Sequence, residues 1–287
     1  MPGPLADVNV LDLGVVGVGP WAATLLGYMG ANVVKIEGPI GDRILRQQPL
    51  MQGLSTAYTV LNLNKRISTI DLKDPQTFEA RDRLASQADV AIDNVRPGLT
   101  ARLGLSFDHV CKLNPQVVSV SGPAWGEDGP MRALAGFDFQ VQMISGFASL
   151  NGRQGESGQM ARFPQLDFNA SCFLAASAVL GLIARERTGK AQRVVAPHVG
   201  GALALLMTRT AEYLATGDRP RPMGSGCDAT VPHQAFKCQN GQYVLVGVET
   251  EQQWQGFCRA IQSEDLATDQ RFATNRQRVI HREALIA

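Results

Sequence analysis

Short apolar runs bounded by glycines and polar turns recur along most of the chain. Val8 to Leu13 (VNVLDL), Asn32 to Glu37 (NVVKIE), Ser68 to Leu72 (STIDL), Asp89 to Val95 (DVAIDNV), Val117 to Ser121 (VVSVS) and Gln192 to Ala196 have strand length and strand composition. Helical stretches lie between them. Pro20 to Gly30 starts with proline in its first turn and closes on glycine. Asp74 caps a helix reaching about Gln87, another ends near Leu113, Phe168 to Arg187 is apolar along most of its length, and Pro197 to Thr216 stops at Gly217. Strands alternating with helices predict an α/β fold built on a parallel, Rossmann-like sheet.

The pattern changes after Thr216. Gly217 to Gly226 (GDRPRPMGSG) is rich in Gly and Pro and is expected to link two domains, a large one over 1–216 and a smaller α+β one over 227–287. The small domain should open with antiparallel strands at Pro232 to Cys238 and Gln242 to Glu249, turned at Gln239-Asn240-Gly241. A helix over Glu251 to Ile261 and a polar, mostly helical stretch from Asp265 follow.

Composition narrows the classes. The chain is 45% hydrophobic and 18% charged with a net charge of +1, which predicts a soluble globular protein with no bulk attraction to nucleic acid or anionic membrane. Five cysteines, none in C-x-x-C spacing, and four scattered histidines (His109, His198, His233 and His281) suggest neither a disulfide framework nor a metal site. A reducing cytoplasm is the expected setting. The N-terminus enters a strand without a basic leader, and no uncharged apolar run reaches membrane-spanning length; the longest, Ala170 to Ala184, suits a buried helix.

Three features carry candidate chemistry. The first is a pair of acids in apolar surroundings, Asp138 (GFDF) and Asp167 (QLDF), separated by a glycine-rich stretch from Asn151 to Gln159 that is placed to act as a lid. Carboxylates are rarely buried unless paired, hydrogen-bonded or used. Locally, Asp167 also suits the N-cap of the helix that follows. The second is Gly17-Val18-Gly19-Pro20-Trp21-Ala22 with Glu37 ending the next strand. It fits a dinucleotide fingerprint and an NAD-dependent oxidoreductase, or a tight turn without a ligand. The third is the set of polar residues at strand ends, Asn64, Lys65, Asn94, Arg96 and Arg102, which suits a phosphorylated, adenine-bearing ligand or a solvated rim.

Taken in order, VLDLGVVGVGP, LLGYMGANVVKIEGPIGD, NLNKRISTIDLKDP, ADVAIDNVRPG, LNPQVVSVSG, GFDFQVQMISG, LIARERTGKAQRV, EYLATGDRP and FATNRQRVIHREAL resemble the family III coenzyme A transferases, which include the formyl-CoA and carnitine-CoA transferases and the α-methylacyl-CoA racemases. The resemblance covers nearly the whole chain. It implies that Asp167 is the nucleophile and Asp138 an acid beside it. It implies coenzyme A contacts at Gly17, Val18, Asn62, Leu63, Asn64, Lys65, Asn94, Val95, Arg96, Arg102, Ala135, Gly136 and Phe137. Coenzyme A would be a substrate, with no permanently bound cofactor. The family pairs two chains as interlocked rings, so a homodimer, or a hetero-oligomer with a homologous subunit, is implied. Family chains run on past residue 287 in a segment that returns to the first domain.

Three positions depart from the family. Gly38 stands where an Arg is frequent, with Arg43 or Arg46 as substitutes; Gly17 replaces the Gln of formyl-CoA transferases; and Gly224-Ser225-Gly226 is short of their glycine run. The racemases use a His at the position of Phe137, and a phenyl ring transfers no proton, so CoA transfer ranks above racemisation. A non-catalytic partner subunit is the remaining alternative, disfavoured by the retained Asp167.

Overall fold

The computed structural model describes residues 2–286. The elements follow in chain order as strands β1 (Asn9–Asp12), β2 (Asn32–Glu37), β3 (Leu50–Met51), β4 (Leu54–Ser55), β5 (Lys65–Thr69), β6 (Val90–Asp93), β7 (Val118–Ser121), β8 (Gln192–Val195), β9 (His233–Lys237) and β10 (Tyr243–Gly247). The helices that matter below are α1 (Val18–Tyr28), α2 (Thr56–Leu61), α3 (Phe78–Ser86), α4 (Leu99–Arg102), α5 (Phe107–Leu113), α6 (Asp138–Ile144), α7 (Phe147–Leu150), α8 (Gln165–Thr188), α9 (His198–Leu205), α10 (Met207–Thr216) and α11 (Glu251–Ala260).

Six strands form one parallel sheet in the order β5-β2-β1-β6-β7-β8. The chain therefore winds outward from β1 in one direction, returns and winds out in the other. This leaves a crevice at the C-terminal ends of β1 and β6, where ligands bind in sheets of this kind. Asp12↔Ile92 is the last β1–β6 pair before that crevice. Both faces of the sheet are covered, which explains the nearly continuous apolar strands. On one face Val10, Val33, Ile92 and Val120 pack with Ala22, Leu26, Leu174 and Ala178 of α1 and α8. On the other, Leu11, Ile36, Ala91 and Val117 pack with Ala85 of α3 and Val110 of α5.

β5 begins at Lys65, three residues ahead of the run expected from sequence, and pairs Val33↔Lys65 through Glu37↔Thr69. The cause is Lys65 itself. Its ammonium is fully buried and donates to Asp12 Oδ2 (2.8 Å), the Pro20 and Leu61 carbonyls (2.7 and 3.0 Å) and Asn62 Oδ1 (3.0 Å). Asp12 also accepts from Gly14 N, and Lys35 Nζ donates to the Gly14 carbonyl at 2.5 Å. Burial pushes Asp12 up, but the Lys35 and Lys65 ammoniums outweigh it and hold the carboxyl below its ordinary range. These groups fix the turn that follows β1.

α8 runs 24 residues from Gln165, also three residues earlier than the pattern suggested. Asp167 is thus inside the first turn, and Pro164 holds the cap position expected for it. By length and mean hydropathy (1.7 over its most apolar window) α8 meets the requirement for a membrane span, which corrects the shorter run inferred from sequence. Its Ala170, Leu174, Ala178 and Leu182 pack into the sheet core, the mark of a core helix. The helix expected over 197–216 is divided at Leu206 into α9 and α10.

The chain divides into two compact units. One takes in the chain up to Ala148 together with Met160–Asp218; the other takes Ser149–Gln159 and the chain from Arg219. The glycine-rich stretch between the two acids thus goes with the second unit. That unit carries the antiparallel pair β9–β10, in register from Tyr243↔Lys237 to Gly247↔His233. Its core is Val248, Trp254, Cys258 and Phe272. Buried Arg278 lies over the Trp254 ring at 4.7 Å and pairs with Glu251 at 2.8 Å.

Candidate active site

The site forms where the β1 turn, the end of β6 and the first turn of α8 converge. A cavity of about 70 Å³ is lined there by Val15, Val16, Gly17, Val18, Asn94, Gly122, Ala124, Gly136, Phe137, Asp167 and His198. Asn94 holds the turn from the β6 side. Its Oδ1 accepts from Val15 N (2.8 Å) and its Nδ2 donates to Val15 O (2.9 Å). Asp42 holds it from the other side, accepting from Val16 N at 3.0 Å. Val16 is in the left-handed region, φ 64, a strained conformation for a β-branched residue.

The glycines of the G-x-G-x-x-A run have a local purpose. A Cβ on Gly17 would stand 2.3 Å from Asp167 Oδ2, and one on Gly19 would stand 2.8 Å from Asn94 Oδ1 and the Gly14 Cα. Gly17 is bare so that the Asp167 carboxylate can lie against the turn. That requirement accounts for the run as a tight strand-to-helix turn, without a dinucleotide.

Asp138 positions Asp167. It opens α6 and is 9% exposed. Its Oδ1 accepts from both Leu166 N and Asp167 N at 2.9 Å. Two of the unpaired amides at the start of α8 are thereby satisfied by a side chain 28 residues upstream. Its Oδ2 accepts from Gln142, whose amide also bonds Ala161 N (2.8 Å) and O (3.2 Å) just before α8. Ser171 Oγ donates to the Asp167 and Val18 carbonyls, at 2.7 and 2.9 Å, and locks α8 to α1.

The Asp167 side chain is 19% exposed, and His198 Nε2 lies 3.5 Å from its Oδ1. Burial, and then the Asp138 charge, push Asp167 up to about 7. His198 is 2% exposed at the start of α9. Burial pushes it down to about 4, against the Asp138 charge and a backbone hydrogen bond to Leu166. Its Nε2 is buried without a hydrogen-bond partner.

Asp138, Asp167 and His198 each offer a donor atom within 4.8 Å of the others. Both Asp138 oxygens accept hydrogen bonds from within the protein. His198 had no partner at any regular spacing in the sequence. Its one signal is the Pro197-His198 step directly after a sheet strand, where the C-terminal edge of a parallel sheet places its residues.

The expected coenzyme A contacts do not all converge. Gly17, Val18, Asn94, Gly136 and Phe137 line the cavity with Asp167. The Lys65 ammonium is enclosed by four protein acceptors, one of them Asn62 Oδ1, and Asn62 is itself buried. Leu63 and Asn64 are exposed at the bend before β5, Asn64 with φ 61. Val95 and Arg96 line a different cleft of about 300 Å³, together with Asp93, Ser121 and Arg193. Arg102 is exposed at the end of α4, and the exposed Ala135 accepts from Trp125 Nε1 at 3.2 Å. At Gly38 a Cβ would meet nothing within 4 Å, while the Arg43 guanidinium lies 5.4 Å from the centroid of the Phe137 ring at the cavity.

Residues 5–287 match the family described as CoA-transferase family III. The human succinyl-CoA:glutarate CoA-transferase is 30% identical over 285 residues, covering 99% of this chain and 65% of the human protein. The succinate–glutarate CoA-transferase of Agrobacterium fabrum is 30% identical over 287 residues, covering 97% and 72%. The crystal structure of a CaiB/BaiF family protein from Brucella suis superposes with a TM-score of 0.87 at 29% identity, covering 100% of this chain and 77% of that one. The chain spans about 65% of the length of the human relative.

Proposed function

The chain belongs to CoA-transferase family III, and from that premise we propose that it moves coenzyme A from an acyl-CoA thioester to a free carboxylic acid, with Asp167 as nucleophile. The observation that carries this reading is the Asp167 carboxylate, buried against a bare glycine at the crevice of the sheet and ready to ionise near neutrality. Its carboxylate attacks the thioester carbonyl, giving a mixed anhydride and CoA thiolate. The thiolate then attacks the aspartyl carbonyl, releasing the donor acid and leaving an aspartyl-CoA thioester. The acceptor acid reverses the sequence. Backbone N–H groups of the Gly17 turn and the positive end of α8 stabilise the oxyanions. The narrow cavity keeps water from the anhydride.

Coenzyme A is the substrate, with its phosphates and adenine over the strand ends. Asn64, Arg96, Arg102 and Arg43 supply the contacts, Arg43 in place of the Arg absent at Gly38. The relatives' names make a dicarboxylic acyl-CoA such as succinyl-CoA the donor to try first, with glutarate as acceptor. Unpaired cysteines at Cys111, Cys172, Cys227, Cys238 and Cys258 suit a reducing cytoplasm. Exposed apolar side chains on α8 to α10, among them Leu180 at 66% and Leu214 at 77%, support a homodimer, to be measured by sedimentation.

The test is Asp167→Ala with hydroxylamine trapping of the wild type. CoA exchange between succinyl-CoA and a panel of acids should vanish in the variant, and peptide mass should place the hydroxamate on Asp167. Undiminished exchange would end the reading. A second reading, epimerisation of an acyl-CoA, draws on His198 3.5 Å from Asp167, an acid–base pair that Phe137 does not supply. Deuterium wash-in at the α carbon of a 2-methylacyl-CoA distinguishes it.

A further inference from the structure

His198 has no role in the CoA-transfer steps above, yet it faces the nucleophile. The backbone hydrogen bond to Leu166 occupies one ring nitrogen and orients the imidazole, and it leaves Nε2 buried, unpartnered and 3.5 Å from Asp167 Oδ1. The main-chain N–H of His198 donates to the Pro123 carbonyl at 3.0 Å, and Asn169 Nδ2 donates to the Gly201 carbonyl at 2.8 Å, so α9 is fixed against α8 at this point. The charged groups that face the imidazole are Asp167 and Asp138. In the neutral ring that carries its proton on Nδ1, Nε2 presents a lone pair to the carboxyl. Two lone pairs facing each other across 3.5 Å attract only when a proton lies between them.

We propose that His198 is a positioning residue for the nucleophile: its Nε2 accepts the proton of the resting Asp167 carboxyl and takes it over as that carboxyl attacks. This rests on Asp167 being the nucleophile. In the step, the bond from the Asp167 oxygen to the acyl carbon forms and the carbon–sulfur bond breaks. The electron pair leaves on the CoA sulfur. The proton passes from Asp167 to Nε2, where the imidazolium stands beside the new thiolate and the Asp138 charge. When the sulfur returns to the aspartyl carbonyl, the donor acid departs with the bridging oxygen and takes the proton back from Nε2, leaving Asp167 as a thioester; the acceptor acid hands its proton to Nε2 as it attacks, and the pair shares a proton again only when Asp167 regains its carboxyl. The raised Asp167 midpoint, near 7, agrees with a carboxyl that rests protonated and ionises in use.

The test needs no substrate. Ring nitrogens of the four histidines are followed by NMR from pH 5 to 9, with His198 assigned by its loss in His198→Asn. The imidazole stays neutral over this range, so its Nε2 signal should report loss of the Asp167 proton and move with the midpoint of the Asp167 carboxyl carbon, and Asp167→Asn should abolish that transition. An Nε2 signal that is flat across the range, or that titrates unchanged in Asp167→Asn, overturns the proposal.

Kinetics supply an independent reading. His198→Asn keeps a donor for the Leu166 carbonyl and removes the group facing Asp167. It should lower kcat about tenfold or more, with KM for acyl-CoA nearly unchanged. His198→Gln places an amide donor near the ε position, should restore part of kcat, and should move the acid limb of the profile to lower pH, since a donor favours the ionised carboxylate. Equal losses in both variants with an unmoved pH profile would mark a merely structural histidine. If Asp167→Ala keeps its CoA exchange, the nucleophile assignment fails, while a coupled titration in the wild type would still stand.

Discussion

Asp167→Asn should stabilise the folded chain above neutral pH while removing CoA transfer. Asn has the shape of the protonated carboxyl and can keep a donor toward His198. The magnitude follows from the site. In an unfolded chain an Asp titrates near 3.8, while the folded site raises it to about 7. The folded state therefore binds this proton more tightly than the unfolded one, and the group's stabilisation is complete below 3.8 and lost as pH rises through 7. At pH 8 an ionised Asp167 costs the fold up to ~4 kcal/mol relative to pH 3. The 19% of the side chain open to solvent brings a realistic figure nearer to about 2 kcal/mol, since water screens it. Loss of the carboxylate at the positive end of α8 costs the variant only about 0.3–1 kcal/mol in return. Urea unfolding of both proteins at pH 5, 6, 7 and 8 measures the difference. The variant's advantage should grow along that series and level off above pH 8. Equal midpoints at pH 8, or an advantage that shrinks as pH rises, would refute the account of a carboxylate kept uncomfortable for use.

Four further outcomes follow from the same geometry. Gly17→Ala places a methyl 2.3 Å from Asp167 Oδ2 and should cost about 100-fold in kcat with an unchanged circular dichroism spectrum. Asp138→Ala strands the Leu166 and Asp167 amides and should lower unfolding free energy by about 2–4 kcal/mol. Asp138→Asn can still accept from both and, by removing a neighbouring charge that raises Asp167, should shift the acid limb of the pH–rate profile downward. Lys65→Met leaves Asp12 buried without its 2.8 Å partner and should destabilise by about 3–5 kcal/mol in denaturant melts; a loss of CoA affinity with full stability would contradict the enclosed ammonium.

The central strands could be found from sequence because a parallel sheet covered on both faces needs apolar residues at nearly every position, as in VVSVS. β5 could not be placed by that rule. It lies at the sheet edge, and its first residue, Lys65, is pulled into register by a carboxylate 53 positions upstream. Asp167 stood out as an acid among apolar neighbours, and its family motif pointed to chemistry. Its place within α8 did not, because the capping group, Asp138, comes from a different helix and leaves no local trace. His198 was invisible for the same reason: its partner is 31 residues away, and only the docking of α9 on α8 brings the two within 3.5 Å. The segment 149–159 has the glycines of a mobile lid, yet composition does not say which unit it joins.

Val16 keeps its unfavourable backbone because Asp42 grips its amide, and Asp42 in turn sits 3.5 Å from the buried Lys35. The shape of the wall behind the reacting carboxyl is therefore inherited from a stretch that need never meet the acyl group. A change at Asp42 or Lys35 would reset the setting of Asp167 from behind, as a tuning peg alters a string without touching where it is plucked.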